Sequence, residues 1–278
     1  MEHWQTNLIA YCERYNIPLF YLAEIIDDPK VIPMIRGKAF EFTVAEKLQG
    51  MLEPSVWSIT KPQINAQTGL HDIDVQVTHL PTNKTIRLEC KLAKKGSCHV
   101  DGNYTTILVK CMRSRTLGEE MIERLSPKIG IAKDVLRVHN DQYLQRDFDF
   151  VITSLGNAFF QTDSEGKFVF SPNQSQLPFL KNFPGNNLQH ETFHCLYIAS
   201  SSDIAITPQN DVVCTRRKCQ NKNNCQFIPN YPIMTFPTNS LTPVKQWHKL
   251  DDIELAAFFM QYLHLLDQPS RLHKRKTQ

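Results

Sequence analysis

Glycine is scarce, ten among 278 residues, and none of them opens a Gly-x-x-x-x-Gly-Lys-Ser/Thr loop that would cradle nucleotide phosphates, so ATP-driven action is not expected. Neither Ser154-Leu155-Gly156 nor Ser200-Ser201-Ser202 forms a nucleophile elbow, which leaves covalent serine catalysis without support. Long apolar runs are missing too. The most apolar windows, 17–26 and 255–266, are interrupted by acids, polar residues or proline and fall short of the roughly 18 uninterrupted residues a membrane span needs. The start, Met1-Glu2-His3-Trp4-Gln5, lacks the basic and apolar regions of a signal peptide, so export is not expected. Without export, the eight cysteines read as reduced thiols or metal ligands in a reducing cytoplasm. Charge of one sign is not in excess: 31 Lys and Arg face 28 Asp and Glu, a net +3. Any basic surface must therefore be local.

What the chain does contain is alternation of helical and extended periodicity in an ordinary globular composition, 41% hydrophobic and 21% charged. Helical spacing runs from Trp4 to Tyr15 and from Leu19 to Ile26, which gives a helical lead-in over 1–35. After Pro33 and Gly37, Phe40, Val44 and Leu48 recur every four residues and predict an amphipathic helix that carries Glu41. The period then drops to two in Asp72-Ile73-Asp74-Val75-Gln76-Val77 and in Ile86-Arg87-Leu88-Glu89-Cys90-Lys91-Leu92. With turn residues at Leu80 to Lys84, these two strands form an antiparallel hairpin. Further strands are expected at Thr105 to Lys110, Phe148 to Ser154 and Cys195 to Ala199. Helical patterns fall between Leu117 and Leu144, broken at Pro127, and from Asp252 to Leu266. The texture becomes rich in Asn, Pro and Gln after Gly166. The expected organisation is a core at 36–167 and a C-terminal region at 168–278 ending in a basic tail.

On the hairpin, alternation places Asp72 and Asp74 on one face of the first strand, and Arg87, Glu89 and Lys91 on one face of the second. Their apolar neighbours turn to the opposite face and hold the polar one rigid. Two carboxylates a few ångströms apart repel unless a divalent cation neutralises them, and oxygen ligands of this kind suit Mg²⁺. A lysine beside them can stabilise charge on a phosphate oxygen or help to activate water. The implied chemistry is phosphodiester hydrolysis.

Asp74 followed fifteen positions later by Glu89-Cys90-Lys91 resembles the PD-(D/E)XK nuclease motif, in the arrangement of type II restriction endonucleases. The resemblance implies an α/β, restriction-endonuclease-like core with a central mixed sheet flanked by helices. It also implies a metal held by Asp74, Glu89 and the intervening Cys90, catalysis by Asp74, Glu89 and Lys91, and an assisting acid, Glu41, on the preceding helix. Leu70-His71 stands where proline would precede Asp72, so Asp72 and Asp74 both qualify as the first acid; Asp74, flanked by Ile73 and Val75, is preferred. A second Glu-x-Lys, Glu165-Gly166-Lys167, lies in a turn and is a decoy. For a stand-alone chain of this kind the implied partner is double-stranded DNA, cut by a homodimer whose C-terminal region reads the target. A repair or recombination nuclease of the same fold, and a zinc-stabilised DNA-binding protein without catalysis, are the competing possibilities.

Cys214, Cys219 and Cys225 fall within twelve residues, and zinc needs a fourth ligand, for which Cys195, His194 and His190 are the candidates. An iron–sulfur cluster with Cys12 as fourth ligand is the weaker alternative. Basic residues that can meet phosphates or guanine edges are Lys94 and Lys95 after the second hairpin strand, Arg113 and Arg115 after the third strand, and Arg216, Arg217 and Lys218 in the cysteine segment.

Overall fold

The computed structural model describes residues 2–62 and 73–267. Helices α1 (His3–Arg14), α2 (Leu22–Ile26) and α3 (Ile32–Met51) lead into β1 (Trp57–Thr60), β2 (Val75–His79) and β3 (Lys84–Leu92). There follow β4 (His99–Asp101), β5 (Tyr104–Leu108), α4 (Glu119–Ile129), α5 (Lys133–Val138), β6 (Phe150–Ser154), β7 (Phe160–Thr162) and β8 (Phe168–Phe170). The chain then forms α6 (Leu177–Leu180), α7 (Leu188–His194), β9 (Leu196–Ser200), α8 (Ser201–Ile204), β10 (Ile233–Pro237), β11 (His248–Lys249) and α9 (Leu255–Asp267).

The result is mixed α/β. A six-stranded sheet has the order β1-β2-β3-β6-β9-β11, in which the β3–β6 pair is parallel and the other neighbours are antiparallel. Strands β6 and β9 are buried along their whole length, as strands covered on both faces must be. On one face, Phe40, Val44 and Leu48 of α3 and Leu255, Phe259 and Leu263 of α9 pack over Val75, Val77, Ile86, Leu88, Cys90, Phe150 and Ile152. The four-residue repeat on each helix is what turns one continuous apolar stripe toward the sheet. On the other face, Val151, Tyr197 and Ala199 meet Ile107, Met234 and Phe236 of a second, three-stranded sheet, β10-β5-β4. Among the described residues no helix is long and apolar enough to cross a membrane.

Several expectations shift. Helix α3 starts at Ile32 rather than after Gly37, because Pro33 occupies the first turn, where its missing N–H has no partner to lose. The break expected at Pro127 falls at Gly130, whose φ of +68° ends α4 in the left-handed region that glycine adopts without strain. The strand near 105–110 exists but belongs to the smaller sheet. The boundary near Phe168 does not divide the fold: β9, β11 and α9 come from 168–278 and complete the same sheet and core as α3. The N-terminal lead-in is helical as expected, and the basic tail lies outside the described residues.

Leu88 lies fully buried at the centre of this sheet, between the two helices. Replacing it by alanine should cost about 2–5 kcal/mol, read as a lower urea midpoint with an unchanged slope.

Candidate active site

Antiparallel pairing sets Val75 opposite Leu88 and Val77 opposite Ile86, so the hydrophobic register brings Asp74, one step before β2, beside Glu89. A hydrogen bond fixes Asp74 there: the Cys90 amide donates to its Oδ2 at 2.8 Å. On the neighbouring position of the same strand face, Lys91 Nζ sits 2.6 Å from Glu89 Oε1. The three groups expected from the sequence therefore share one small volume. Asp72 and His71 fall outside the described residues.

The centre is deep. Glu89 is 3% exposed and Lys91 retains 19% of its side-chain surface. Burial disfavours charge on Asp74 and the Glu89 carboxylate adds to it; although Lys91 and the Cys90 amide oppose them, the Asp74 carboxyl is raised to about 7. Burial also works against the Lys91 ammonium, but Glu89, Tyr143 and Asp74 outweigh it and hold that group charged, well above its ordinary range. Tyr143 donates its hydroxyl to Glu89 Oε1 at 2.7 Å, so one carboxylate oxygen of Glu89 is pinned from two sides. Burial and the Glu89 charge push the tyrosine hydroxyl up, which keeps it a donor. Among the described residues, Asp74 Oδ1 and Glu89 Oε2 take no hydrogen bond.

Glu41 stands one step back. Its carboxylate pairs with Lys61 at 2.6 Å and Lys38 at 2.9 Å, and Lys61 also donates to the Asp74 backbone carbonyl at 3.5 Å. Glu41 thus braces the hairpin through Lys61. The Cys90 side chain departs from the expectation of a metal ligand, since alternation turns it away from Glu89 and Lys91 into the apolar cluster under α3 and α9. Arg87 shares the polar strand face but is spent on Asp149, which accepts from its amide, Nε and Nη2. Glu165-Gly166-Lys167 sits in the exposed turn joining β7 to β8, with Gly166 at φ +84° and Glu165 paired with Lys167 in solvent.

The basic candidates separate by environment. Lys94 and Lys95 are exposed immediately after β3, Lys94 over the Tyr231 ring and Lys95 on the Thr162 hydroxyl. Arg115, Arg217 and Lys218 are also exposed. Arg113 and Arg216 are not open to a nucleic acid in this way. The Arg113 guanidinium pairs with Asp147 and the Gln142 carbonyl, and Arg216 pairs with Asp141, so both brace the 139–149 turn.

A second cluster gathers elsewhere. His139, Cys214, Cys219 and Cys225 bring one potential ligand atom each within 4.8 Å of one another. Cys195 does not join them. It is buried beside β9, where its thiol meets the Tyr197 hydroxyl at 3.3 Å, because the strand following α7 belongs to the main sheet. His190 and His194 lie side by side in α7 with their rings tilted by 35° and stay apart from the cluster, and Cys12 is buried separately in α1.

Sequence patterning did not find Lys61, Tyr143 or His139. Tyr143 and His139 lie in a turn between α5 and β6, where no periodicity operates, and Lys61, just past β1 and thirteen positions before Asp74, belongs to no motif.

Because the folded Asp74 carboxyl titrates near 7 while an unfolded aspartate titrates near about 3.9, the native state binds the extra proton between those values. Stability should therefore fall as pH rises from 4 to 7. In magnesium-free buffer Asp74→Asn, whose amide oxygen still accepts from Cys90, should melt higher than the parent at pH 8, with the gap narrowing toward pH 5. An unchanged gap across that range would show that Asp74 carries no buried charge. Compared with protein-family profiles, curated proteins and solved structures, the chain matches none.

Proposed function

We propose that this chain is a Mg²⁺-dependent endonuclease that hydrolyses phosphodiester bonds of double-stranded DNA at a specific sequence, in the manner of type II restriction endonucleases. The observation that carries it is the convergence of Asp74, Glu89 and Lys91 at the β2–β3 pair, with one oxygen of each carboxylate left without a hydrogen bond among the described residues. The donor set fits the ion: two hard carboxylate oxygens at a position where burial, and then the Glu89 charge, already raise Asp74. Bound there by Asp74 and Glu89, Mg²⁺ would supply Lewis acidity at the scissile phosphate and lower the pKa of attacking water.

The protein's own part is positioning. Tyr143 and Lys91 fix the Glu89 carboxylate, and the Cys90 amide fixes that of Asp74, so neither has to reorganise when charge develops. Held protonated, Lys91 acts electrostatically on the phosphate oxygens rather than as a base. Glu41 and Lys61 keep the hairpin start in place from α3. Lys94, Lys95, Arg115, Arg217 and Lys218 are the exposed cations suited to phosphate contact. A twofold dimer on a palindromic target fits the exposed apolar side chains of the N-terminal helices, among them Trp4, Phe20, Tyr21 and Met34.

The deciding experiment is digestion of a sequenced plasmid with Mg²⁺, expected to give discrete fragments. Ragged ends or junction-restricted cutting would favour a repair nuclease, and binding without any nick would leave a non-catalytic DNA-binding protein. Glu89→Gln and Lys91→Ala should each lower cleavage at least about a hundredfold. DNA binding measured with Ca²⁺ should change far less. Replacing Arg217 and Lys218 together by alanine should weaken binding to all sequences and flatten the salt dependence by about two units of slope, roughly 0.9 for each lost phosphate contact.

A further inference from the structure

Outside the hairpin centre, one group of side chains has the composition and closeness of a coordination shell. The geometry points to a structural zinc site made by His139, Cys214, Cys219 and Cys225, independent of the nuclease proposal. The four ligand atoms lie within 4.8 Å of one another. A tetrahedron with Zn–S near 2.3 Å has edges of roughly 3.8 Å, so closure needs shifts of about an ångström or less. Three soft thiolates and one imidazole are the donor types zinc selects, and hard cations such as Mg²⁺ do not.

The imidazole is prepared for the role. Gln142 donates through Nε2 to the Ile228 carbonyl at 2.9 Å, which fixes its amide and leaves Oε1 facing His139 Nδ1 at 2.6 Å. Nδ1 must then carry the proton, and the Nε2 lone pair is left for a metal. The ring is held flat on Phe227 at 4.2 Å and an interplanar angle of 10°, so it cannot swing away. His139 is 1% exposed, and Cys214 and Cys219 are buried as well. The cysteine segment is shaped around the same point by the Cys214 amide on the Lys222 carbonyl and the Cys219 amide on the Arg216 carbonyl.

The surrounding chain explains why a metal is useful here. Between α8 and β10, residues 205–232 form no helix or ladder strand, only turns and one isolated bridge from Phe227 to Leu144. The segment's two ends are anchored in the core by Ala205, Ile206, Phe227 and Ile228, but from 207 to 226 the buried side chains are Cys214 and Cys219 alone. For those twenty residues so little apolar burial does not offset the cost of ordering the chain, which is the situation in which a metal replaces a core. Coordination joins three positions of that segment to His139 in the turn after α5, four residues before Tyr143, whose hydroxyl reaches Glu89.

The test uses the full chain, purified without chelator. Elemental analysis should return one zinc per chain that survives dialysis, and Co²⁺ exchanged into the protein should show the intense visible bands of tetrahedral thiolate coordination. Cys219→Ser and His139→Ala should lower the zinc content and Cys195→Ser should leave it at one. The wild-type measurements stand even if a variant fails to fold. A folded, metal-free wild type with reduced or disulfide-bonded thiols, zinc removed by simple dialysis, or full zinc retained in Cys219→Ser would each overturn the site. None of these readouts involves DNA cleavage, so a nuclease-dead protein with one bound zinc would uphold this site and reject only the other proposal.

Discussion

Once Val75 pairs with Leu88 across β2 and β3, the two-residue period of a strand leaves Asp74, Glu89 and Lys91 no choice of face. The apolar partners Val75, Val77, Ile86 and Leu88 bury under α3 and α9, and a slip of one residue would drive the acids into that layer. The same pairing therefore stabilises the sheet and assembles the polar centre. Burial makes the Asp74 carboxyl reluctant to ionise, and the neighbouring Glu89, Tyr143 and Asp74 hold the Lys91 ammonium charged against that same burial.

Such a centre is costly to keep in a core, and the surrounding structure offsets the cost locally. Glu89 receives the Tyr143 hydroxyl and the Lys91 ammonium, while Asp74 receives the Cys90 amide. The parallel β3–β6 pair locks the other edge of β3, and Arg87 clamps its start to Asp149 at the head of β6. The bidentate geometry of that clamp is the kind in which arginine is not exchangeable with lysine. Arg113 and Arg216, cations that composition alone would assign to DNA, instead tie down the 139–149 turn that delivers Tyr143. Elements from both halves of the described chain, α3 with β1–β3 and β9, β11 with α9, thus serve one sheet.

How much was legible in the residues follows from the range of the forces involved. Alternation gave the hairpin and the face shared by Glu89 and Lys91, because period two is a local steric property, although the first strand begins at Val75 and Asp72 lies outside the described residues. The four-residue repeats gave α3 and α9, and the turn residues around Gly166 exposed the false Glu-x-Lys. Where a proline or glycine acted was less legible: Pro33 and Pro127 are both tolerated inside helices, and Gly130 supplies the stop.

The sequence by itself determined the helix and strand periodicities, the polar face of the hairpin and the three cysteines at 214, 219 and 225, since each depends on neighbours within a few positions. Only the tertiary structure decided that His139 rather than Cys195 completes that cysteine group, that Tyr143 reaches Glu89, and that β9 and β11 close the central sheet. Those contacts join positions tens of residues apart, and their partners are chosen by which faces the apolar core leaves in register, a global packing condition that no local spacing encodes.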